Sequence, residues 1–327
     1  MNSEYPTYLE LSMKRSTGLF LLAIGISFAL SLGLANPCAA QTPPLPDNAK
    51  RILFLGNSIT YSGQYVSYIE AYLTLRYPEK QLEFINVGLP SETVSGLSEP
   101  DHAGGAFPRP DLHERLARVL ANIKPDLVFA CYGMNDGIYL PFDDSRFQKF
   151  REGIVWLHNQ IKKSGASIIH ITPPVYDERK GPAYANVIDI YSDWLISCRY
   201  TANWEVIDLH WPMRKHLEVQ RRVDPTFTFA EDGVHANETG HFIMAREILL
   251  HLGETALDTV TDIHTALAKY KNGDAILPLI EKRQAIMKDA WLTATGHKRP
   301  GMRVGMPITE AQKASDEIGK QIEALLQ

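Results

Sequence analysis

The sequence RILFLGNSIT occupies residues 51–60, and in it a run of aliphatic side chains passes directly into a glycine and a polar turn. Short apolar runs of the same kind recur at residues 82–87, 127–131, 167–171 and 206–209. Short, continuous apolar runs between turn-forming segments are typical of buried strands, which have no polar face. The sequence therefore predicts five buried strands.

Longer segments with helical spacing follow these runs. Their apolar residues recur every three or four positions, which is the period of one helix face. The segments lie at residues 64–76, 111–123, 145–163, 183–200 and 238–250. Alternation of strands and helices indicates βαβ units around a parallel sheet. The predicted fold is therefore α/β, a three-layer α/β/α sandwich with a mainly parallel five-stranded sheet.

The composition fits a globular chain and excludes several classes of protein. Of the 327 residues, 45% are hydrophobic and 22% are charged, which excludes disordered, collagen-like and coiled-coil chains. The 33 basic and 38 acidic side chains give a net charge of −5, and no long basic run could neutralise phosphates. We therefore expect no nucleic-acid partner. Three scattered cysteines do not make a disulfide framework, and Cys131 and Cys198 either pair or remain buried free thiols.

The first 40 residues have the layout of a secretory signal. Lys14 and Arg15 precede an apolar run at residues 19–34, and small residues follow as far as Ala40. The run is shorter than the roughly 20 apolar residues that span a bilayer, which favours a cleaved signal over a membrane anchor. We expect cleavage after Ala40, a secreted or periplasmic location, and no stable membrane insertion after cleavage.

The rest of the chain divides into three segments. A proline-rich stretch makes residues 41–49 an extended lead-in, and the alternating strands and helices place one domain at residues 50–252. Residues 253–327 lack strand signals and are predicted to form a helical C-terminal extension packed on that domain. Within it, residues 291–306 are predicted to be irregular and either cover the rim of the sheet or cross the surface. A capping-box spacing from Thr309 predicts the start of the last helix there.

Polar residues gather where the predicted strands end. Ligands of open α/β sheets bind beyond the carboxyl ends of the strands. Ser58 follows the first strand, Gly88 the second and Asn135 the third, while Asp232 and His235 precede the last helix of the domain. Taken singly, each of these residues is more often a cap or a turn residue than a catalytic one. Their occurrence in order at one predicted rim favours a shared site.

The chemistry of these residue types suits attack on an ester. A serine held after a tight strand-to-helix turn can act as a nucleophile when a base accepts its proton, and His235 is the candidate base. Asp232, three residues upstream, can accept the Nδ1–H of that histidine and fix its tautomer. The oxyanion formed by the attack needs donors, for which the amides of Ser58 and Gly88 and the side chain of Asn135 are candidates.

With these residues in place, the sequence resembles the SGNH (GDSL-type) hydrolases, a family named for Ser, Gly, Asn and His in four sequence blocks. The resemblance implies that Ser58 is the nucleophile, His235 the base and acid, and Asp232 the residue that orients it. It also implies that Gly88 and Asn135 donate to the oxyanion. The corresponding blocks are Gly56-Asn57-Ser58-Ile59, Gly88, Gly133-Met134-Asn135-Asp136 and Asp232-Gly233-Val234-His235.

The resemblance covers roughly residues 50–252, which makes this segment the predicted SGNH hydrolase domain. One position departs from the pattern, because the family's usual aspartate before the serine is Asn57 here. An uncharged amide can hold the same turn by hydrogen bonds, so we still expect an active enzyme.

The substrate is predicted from the loops at the rim. The loop at residues 90–110 is polar and forms no apolar lid, which disfavours long acyl chains. Aromatic side chains in the rim loops suit sugars, although most are expected to pack against the sheet and about two to line a pocket. These aromatic residues are Tyr61, Tyr65, Tyr132, Tyr139, Phe142, Tyr176 and Trp211.

The leading hypothesis is an exported serine esterase that removes small acyl groups, acetyl in particular, from carbohydrate. The acetyl-polysaccharide substrate is implied by the family resemblance. The expected partner is a small-molecule or glycan ester, and no cofactor or metal is expected; the sequence does not indicate an oligomeric state. A lipid acylhydrolase or thioesterase of the same family is an alternative. Another alternative is a non-catalytic carbohydrate-binding module on a hydrolase fold.

Two further polar residues are assigned structural roles. Arg109 lies between prolines and is expected to pair with an acidic neighbour rather than to bind substrate. His241 begins the helix after His235, where packing is favoured over metal ligation. No His-Glu-x-x-His pattern occurs in the chain, so a zinc hydrolase is not expected.

Overall fold

Five parallel strands form the central sheet. They are β1 (Arg51–Gly56), β2 (Glu83–Asn86), β3 (Leu127–Cys131), β4 (Ser167–Ile171) and β5 (Val206–Ile207). The strand order is β2-β1-β3-β4-β5, and every neighbouring pair is parallel. The predicted α/β fold with a parallel five-stranded sheet is confirmed.

The structure is a computed structural model that describes residues 45–46 and 49–327. The predicted signal peptide and most of the predicted lead-in lie outside the described residues.

The middle of the sheet is buried on both faces. All five side chains of β3 are buried, as are those of β1 after Arg51. This double burial explains why the strands appear in the sequence as continuous apolar runs without alternation. The register pairs Gly56 with Cys131 and Cys131 with Ile171, so β1, β3 and β4 end at one level. Residues that follow these strands are therefore brought to the same edge.

Ten α-helices accompany the sheet in the described part of the chain. Helix α2 has the predicted bounds, whereas the helix predicted from residue 111 begins only at Leu116. There the Asp111 side chain accepts a hydrogen bond from the His113 N–H and closes a separate short turn first. None of these helices combines the length and the hydropathy that would let it cross a membrane. The helices are α1 (Ser58–Ser62), α2 (Gln64–Arg76), α3 (Leu116–Ile123), α4 (Asp144–Lys163), α5 (Pro182–Thr201), α6 (His210–Arg221), α7 (Glu238–His251), α8 (Ile263–Leu267), α9 (Gly273–Thr295) and α10 (Ile308–Leu326).

The C-terminal helices pack on the edge of the sheet that β2 forms. Helix α9 contacts α2 and β2, and α10 lies against α9. The Gln284 side chain of α9 donates to the Phe84 carbonyl at 2.9 Å. Helix α10 begins at Ile308 after Pro307, so the capping box predicted from Thr309 is wrong; that residue already lies in the first helical turn.

The two described cysteines are both buried and free. Cys131 ends β3, and burial raises the pKa of its thiol to about 12. Cys198 lies on α5, where its Sγ donates weakly to a carbonyl of its own helix. Of the two alternatives left by the sequence, the structure therefore has free thiols.

Candidate active site

A sharp turn after β1 presents Ser58 at the edge of the sheet. Asn57 caps α1, and its Oδ1 accepts a hydrogen bond from the Ile59 N–H at 3.1 Å. A side chain at Gly56 would place its Cβ 2.9 Å from the Cys131 carbonyl oxygen, so only glycine allows β1 to approach β3 this closely. Ser58 is the first residue of α1 and is partly exposed. Its hydroxyl is thus held on a rigid turn.

The loop before α7 brings His235 to that hydroxyl. The Ser58 Oγ lies 2.8 Å from His235 Nε2, and His235 Nδ1 lies 2.5 Å from Asp232 Oδ2. The other oxygen of Asp232 accepts from the backbone N–H groups of Val234 and His235, at 2.9 and 2.8 Å. The structure therefore brings together the three residues that the sequence singled out as nucleophile, base and orienting acid.

The hydrogen bonds to Asp232 keep it ionised. Partial burial acts to raise its pKa, but bonds from the ring and amide of His235 and from the Val234 amide outweigh burial and lower the pKa to about 2. An ionised carboxylate accepts the Nδ1–H and leaves the Nε2 lone pair facing Ser58. This tautomer is the one that a general base requires.

Asn135 follows β3 with its amide group fixed from both sides. Its Nδ2 donates to the Glu92 carbonyl at 3.1 Å, and its Oδ1 accepts from the Tyr139 hydroxyl at 3.0 Å. A carboxamide nitrogen carries two N–H groups, so one remains available to a substrate oxygen. Asn135 itself is buried, which keeps that N–H from moving away into solvent.

The carboxylate of the neighbouring Asp136 holds this loop in place by hydrogen bonds. Its carboxylate accepts from the backbone N–H groups of Gly133, Val94 and Ser95, at 2.9, 2.8 and 2.9 Å. Asp136 is fully buried, so its role is structural rather than contact with substrate. The sequence placed Asp136 in the third family block but gave it no role of its own.

The predicted role of Gly88 as an oxyanion donor is not supported. Its N–H donates to Asn86 Oδ1 at 2.9 Å and is therefore already engaged. A glycine is needed here for space, because a Cβ would lie 2.4 Å from the Tyr61 backbone nitrogen. The requirement for glycine at this position is thus steric.

The next turn offers a different donor. The Glu92 N–H donates to the Leu89 carbonyl at 3.2 Å and closes a turn in which Ser91 has a left-handed φ of 66°. The Ser91 N–H has no partner among the described residues, and the Glu92 carbonyl of the same turn contacts Asn135. A left-handed serine carries no clear sequence signal, which is why this amide was missed.

A buried ion pair holds that turn against the sheet. The Glu92 carboxylate accepts from Arg115 Nε at 2.6 Å, from Arg115 Nη2 at 2.7 Å and from the Tyr132 hydroxyl at 2.7 Å. Arg115 also donates to the Val87 carbonyl at 2.9 Å. All three side chains of this cluster are buried. The pair therefore fixes the backbone that supports Asn135.

Arg109 pairs with an acid, as expected. Its Nε and Nη2 donate to the two oxygens of Glu99 at 2.6 and 2.5 Å, and its guanidinium lies 5.1 Å from the centre of the Tyr139 ring. Tyr139, which also has a left-handed φ, stacks on Tyr184 at 4.7 Å. This stack positions the hydroxyl that orients Asn135.

The other aromatic and histidine candidates divide between core and rim. Tyr65 and Tyr132 are buried in the core, and Trp211 donates to Asp193 away from the triad. His241 is buried and stacks on Tyr65, the packing role that was expected. The partly exposed rim aromatics include Tyr61, Tyr139 and Phe142.

Comparison with known proteins decides the family. The model of the GDSL-like lipase/acylhydrolase family matches residues 54–243. The chain belongs to this family. It is therefore a carboxylic ester hydrolase, and the predicted membership is confirmed. The matched range includes the three triad candidates and Asn135, whereas α9 and α10 lie beyond it.

This GDSL-like hydrolase is similar to an acetylxylan esterase in both sequence and structure. An acetylxylan esterase from Geobacillus stearothermophilus is 25% identical over 227 residues, which cover 63% of this chain and 95% of the relative. The solved structure of an acetylxylan esterase from that organism has a TM-score of 0.51 and 23% identity, and covers 65% of this chain and 96% of its own.

A second solved structure is that of a gut microbial diltiazem-metabolizing enzyme. It has a TM-score of 0.53 and 22% identity, with 65% of this chain covered. The chain spans 49% of that enzyme. At this level of identity, both solved structures show the shared fold alone.

Proposed function

We propose that this hydrolase removes short acyl groups, acetyl in particular, from carbohydrate esters through a Ser-His-Asp acyl-enzyme mechanism. The observation that carries the proposal is the unbroken chain of contacts from Ser58 Oγ to His235 and from His235 to Asp232. Nucleophile, base and orienting carboxylate each have the partner that their role requires.

The first half-reaction forms an acyl-enzyme. His235 Nε2 takes the proton of the Ser58 hydroxyl while Oγ attacks the ester carbonyl carbon, and the carbonyl electron pair moves onto oxygen. The Ser58 N–H, which has no partner among the described residues, and the free N–H of Asn135 donate to that oxyanion. His235 then gives its proton to the departing sugar oxygen as the C–O bond breaks.

The second half-reaction restores the enzyme. Water attacks the acyl carbon and passes its proton to His235. The second oxyanion then collapses, the bond between the acyl carbon and Ser58 Oγ breaks, and His235 gives its proton to that Oγ as the acid leaves. Asp232 stays ionised throughout and stabilises the imidazolium in both steps.

The openness of the site supports a small acyl group on a large polar alcohol. The side chains of His235 and Asp232 are 52% and 54% exposed. A long acyl chain would gain little burial there, whereas an ester on a glycan could reach the triad from solvent. The relative at 25% identity, an acetylxylan esterase, supports the same substrate class.

Export is part of this proposal. The charged and apolar layout of residues 1–40 is that of a secretory leader, and an exported enzyme would meet glycans outside the cytoplasm. Sequencing the N-terminus of the protein recovered from its producing cells tests it: a start at Gln41 supports export, and an intact leader contradicts it.

The mechanism is tested with Ser58→Ala and a series of 4-nitrophenyl esters. We expect kcat on the acetate to fall at least about 10⁴-fold, with rates of the unmodified enzyme declining beyond short acyl chains. Ser62→Ala is the matched control, because it removes a hydroxyl from the same helix at a position that contacts His241 instead.

Two outcomes would contradict the proposal. Retention of the full rate in Ser58→Ala would exclude Ser58 as the nucleophile. Rates that rise with acyl length would favour the lipid acylhydrolase alternative. A fluorophosphonate probe should label Ser58 alone, and a folded protein without labelling would favour the non-catalytic module.

A further inference from the structure

Helix α9 continues to Thr295, so the stretch predicted to be irregular from residue 291 begins only after that helix. Within residues 297–306, Arg299 reaches a loop at the rim of the sheet. Arg299 Nε donates to the Pro90 carbonyl at 2.9 Å, and Pro90 lies in the turn whose Glu92 carbonyl holds Asn135. From the preceding helix α9, Lys288 Nζ donates to the Tyr61 carbonyl at 2.6 Å, three residues after Ser58. The C-terminal extension therefore contacts both the helix that begins at Ser58 and the turn that supports Asn135.

Arg299 is a cation without an acidic partner. Its Nη1 donates to the Pro300 carbonyl at 3.0 Å and lies 3.3 Å from Met302 Sδ, and its guanidinium lies 5.4 Å from the Phe107 ring centre. All these neighbours are neutral, and no carboxylate of the described chain forms an ion pair with Arg299. Its Nη2 has no described partner and keeps both of its N–H groups.

The acidic residues near this rim are already paired elsewhere. Glu99 is bound by Arg109 at two oxygens, and Asp289 lies 3.6 Å from Arg303. Arg299 is partly buried, and this burial lowers its pKa from the usual value. A partly desolvated guanidinium that lacks a counter-ion attracts an anion more strongly than a fully hydrated one.

We propose that Arg299 binds a carboxylate on the alcohol side of the substrate, so that the preferred substrates are acetylated uronic-acid sugars. This inference rests on the proposed function, whose reaction it leaves unchanged. The two N–H groups of Nη2 can donate to a carboxylate, and Nε is held by Pro90, which fixes the plane of the guanidinium. A charged donor at the rim thereby selects among sugars that carry the same acetyl ester.

The test compares two sugars that differ only at one carbon. Acetylated methyl galacturonide carries a carboxylate where acetylated methyl galactoside carries a hydroxymethyl group. We expect the unmodified enzyme to have at least about tenfold higher kcat/KM on the galacturonide, the size of one hydrogen bond between charged groups. Arg299→Gln should remove that preference mainly through KM, with a smaller loss of kcat/KM on the galactoside because the variant also loses the bond to Pro90.

Lys298→Gln is the matched control. It removes the same charge from the adjacent residue, whose side chain is 81% exposed and lies 3.8 Å from Glu114. We expect no loss of preference in this variant and a partial retention in Arg299→Lys, which keeps the charge but loses the planar fork.

The outcomes separate this inference from the proposed function. Equal kcat/KM of the unmodified enzyme on both sugars would overturn the inference even if no variant folded. An equal loss on both sugars in folded Arg299→Gln would also overturn it, and in both cases the esterase mechanism would stand. Failure to release acetate from either sugar and from 4-nitrophenyl acetate would instead contradict the proposed function.

Discussion

At the residue scale, Asn57 shows how the nucleophile turn tolerates an amide. The position is buried, and its only described side-chain bond is the one that Oδ1 accepts from the Ile59 N–H. A carboxylate could accept the same bond, but it would bring a charge into the core beside Ser58. The amide holds the turn without that cost.

This geometry predicts opposite outcomes for two substitutions at position 57. Asn57→Asp keeps the acceptor, so we expect kcat within about threefold of the unmodified enzyme. Asn57→Ala loses the cap, which should lower the free energy of unfolding by about 1 kcal/mol and kcat by about tenfold or more as Ser58 loses its position. Urea unfolding measures the free energy of unfolding, and hydrolysis of 4-nitrophenyl acetate measures kcat. A folded but inactive Asn57→Asp, or a fully active Asn57→Ala, would contradict this account.

Four of the five predicted site residues could be singled out because their positions carry local signals. Ser58 and Asn135 follow strands directly, and Asp232 lies three residues from His235, a separation that one loop can close. Gly88 also follows a strand, but the engagement of its N–H depends on a side chain two residues away. No local sequence pattern predicts that this N–H is already engaged.

Arg299 could not have been found in this way. It lies 64 residues after His235 in a segment without periodic structure, and only the packing of α9 brings it to Pro90. The absence of a counter-ion is likewise a property of tertiary packing. Local sequence therefore predicted the proposed catalytic groups better than the surroundings that would select a substrate.

At the scale of elements, the loop that carries His235 is anchored by Asp177 after β4. The Asp177 carboxylate accepts from Arg179 Nη2 and Arg221 Nη2 at 2.7 Å and from the Thr228 hydroxyl at 2.8 Å. Its backbone N–H donates to the Gly233 carbonyl at 3.0 Å, next to Asp232. One buried carboxylate thus joins three segments around the triad loop.

The Asp177 carboxylate should make the fold sensitive to acid. Burial acts to raise its pKa, but the bonds from Arg179, Thr228 and Arg221 outweigh burial and hold the pKa well below its usual value. Because the pKa is lower in the folded state, the stabilisation is complete above about pH 4 and is lost as the pH falls below that value.

Asp177→Asn tests this anchor. We expect it to lower the free energy of unfolding at pH 7 by about 2 kcal/mol, the order for hydrogen bonds to a charged group, and to reduce kcat several-fold as the triad loop loosens. Between pH 7 and 3 the variant should lose less stability than the unmodified protein.

The control is Asp193→Asn, which alters an exposed carboxylate on α5 whose one partner within the described part of the chain is Trp211. If Asp177→Asn and the unmodified protein lost equal stability in acid, the anchoring role of Asp177 would be contradicted. A loss of stability in Asp193→Asn as large as that in Asp177→Asn would contradict it as well.

Secondary-structure elements could be predicted where their burial produces a clear apolar pattern in the sequence. The strands and α2 are surrounded by other elements, so their apolar runs are continuous or nearly so. Helix α6 was not predicted, because only His210, Met213 and Leu217 of its twelve residues are buried. A narrow apolar stripe on a polar helix is hard to distinguish from a loop by sequence alone.

At the scale of the whole molecule, α2 links the family domain to the C-terminal extension. Ten of its 13 residues are buried, so it needs cover on nearly every face. Helix α7, which begins within the family match, lies against it, and α9 supplies further cover from beyond that match. Arg283 and Gln284 of α9 also donate to the buried Glu70 of α2.

We therefore expect a chain that ends at residue 252 to be insoluble or unfolded. It would expose the α2 face covered by α9 and leave Glu70 as a charge without partners. Exposed apolar surface costs about 25 cal/mol per Å², and a domain has only about 5–15 kcal/mol of stability in total.

A chain that ends at residue 306 is the matched control, because it loses only α10, whose one apolar stripe packs mainly on α9. It should stay soluble with a lower Tm. Because it keeps the hydrogen bonds from Lys288 to Tyr61 and from Arg299 to Pro90, it should also keep esterase activity. Soluble yield, Tm and 4-nitrophenyl acetate hydrolysis distinguish the two, and a folded, active chain ending at 252 would show that the extension is dispensable for both the fold and the site.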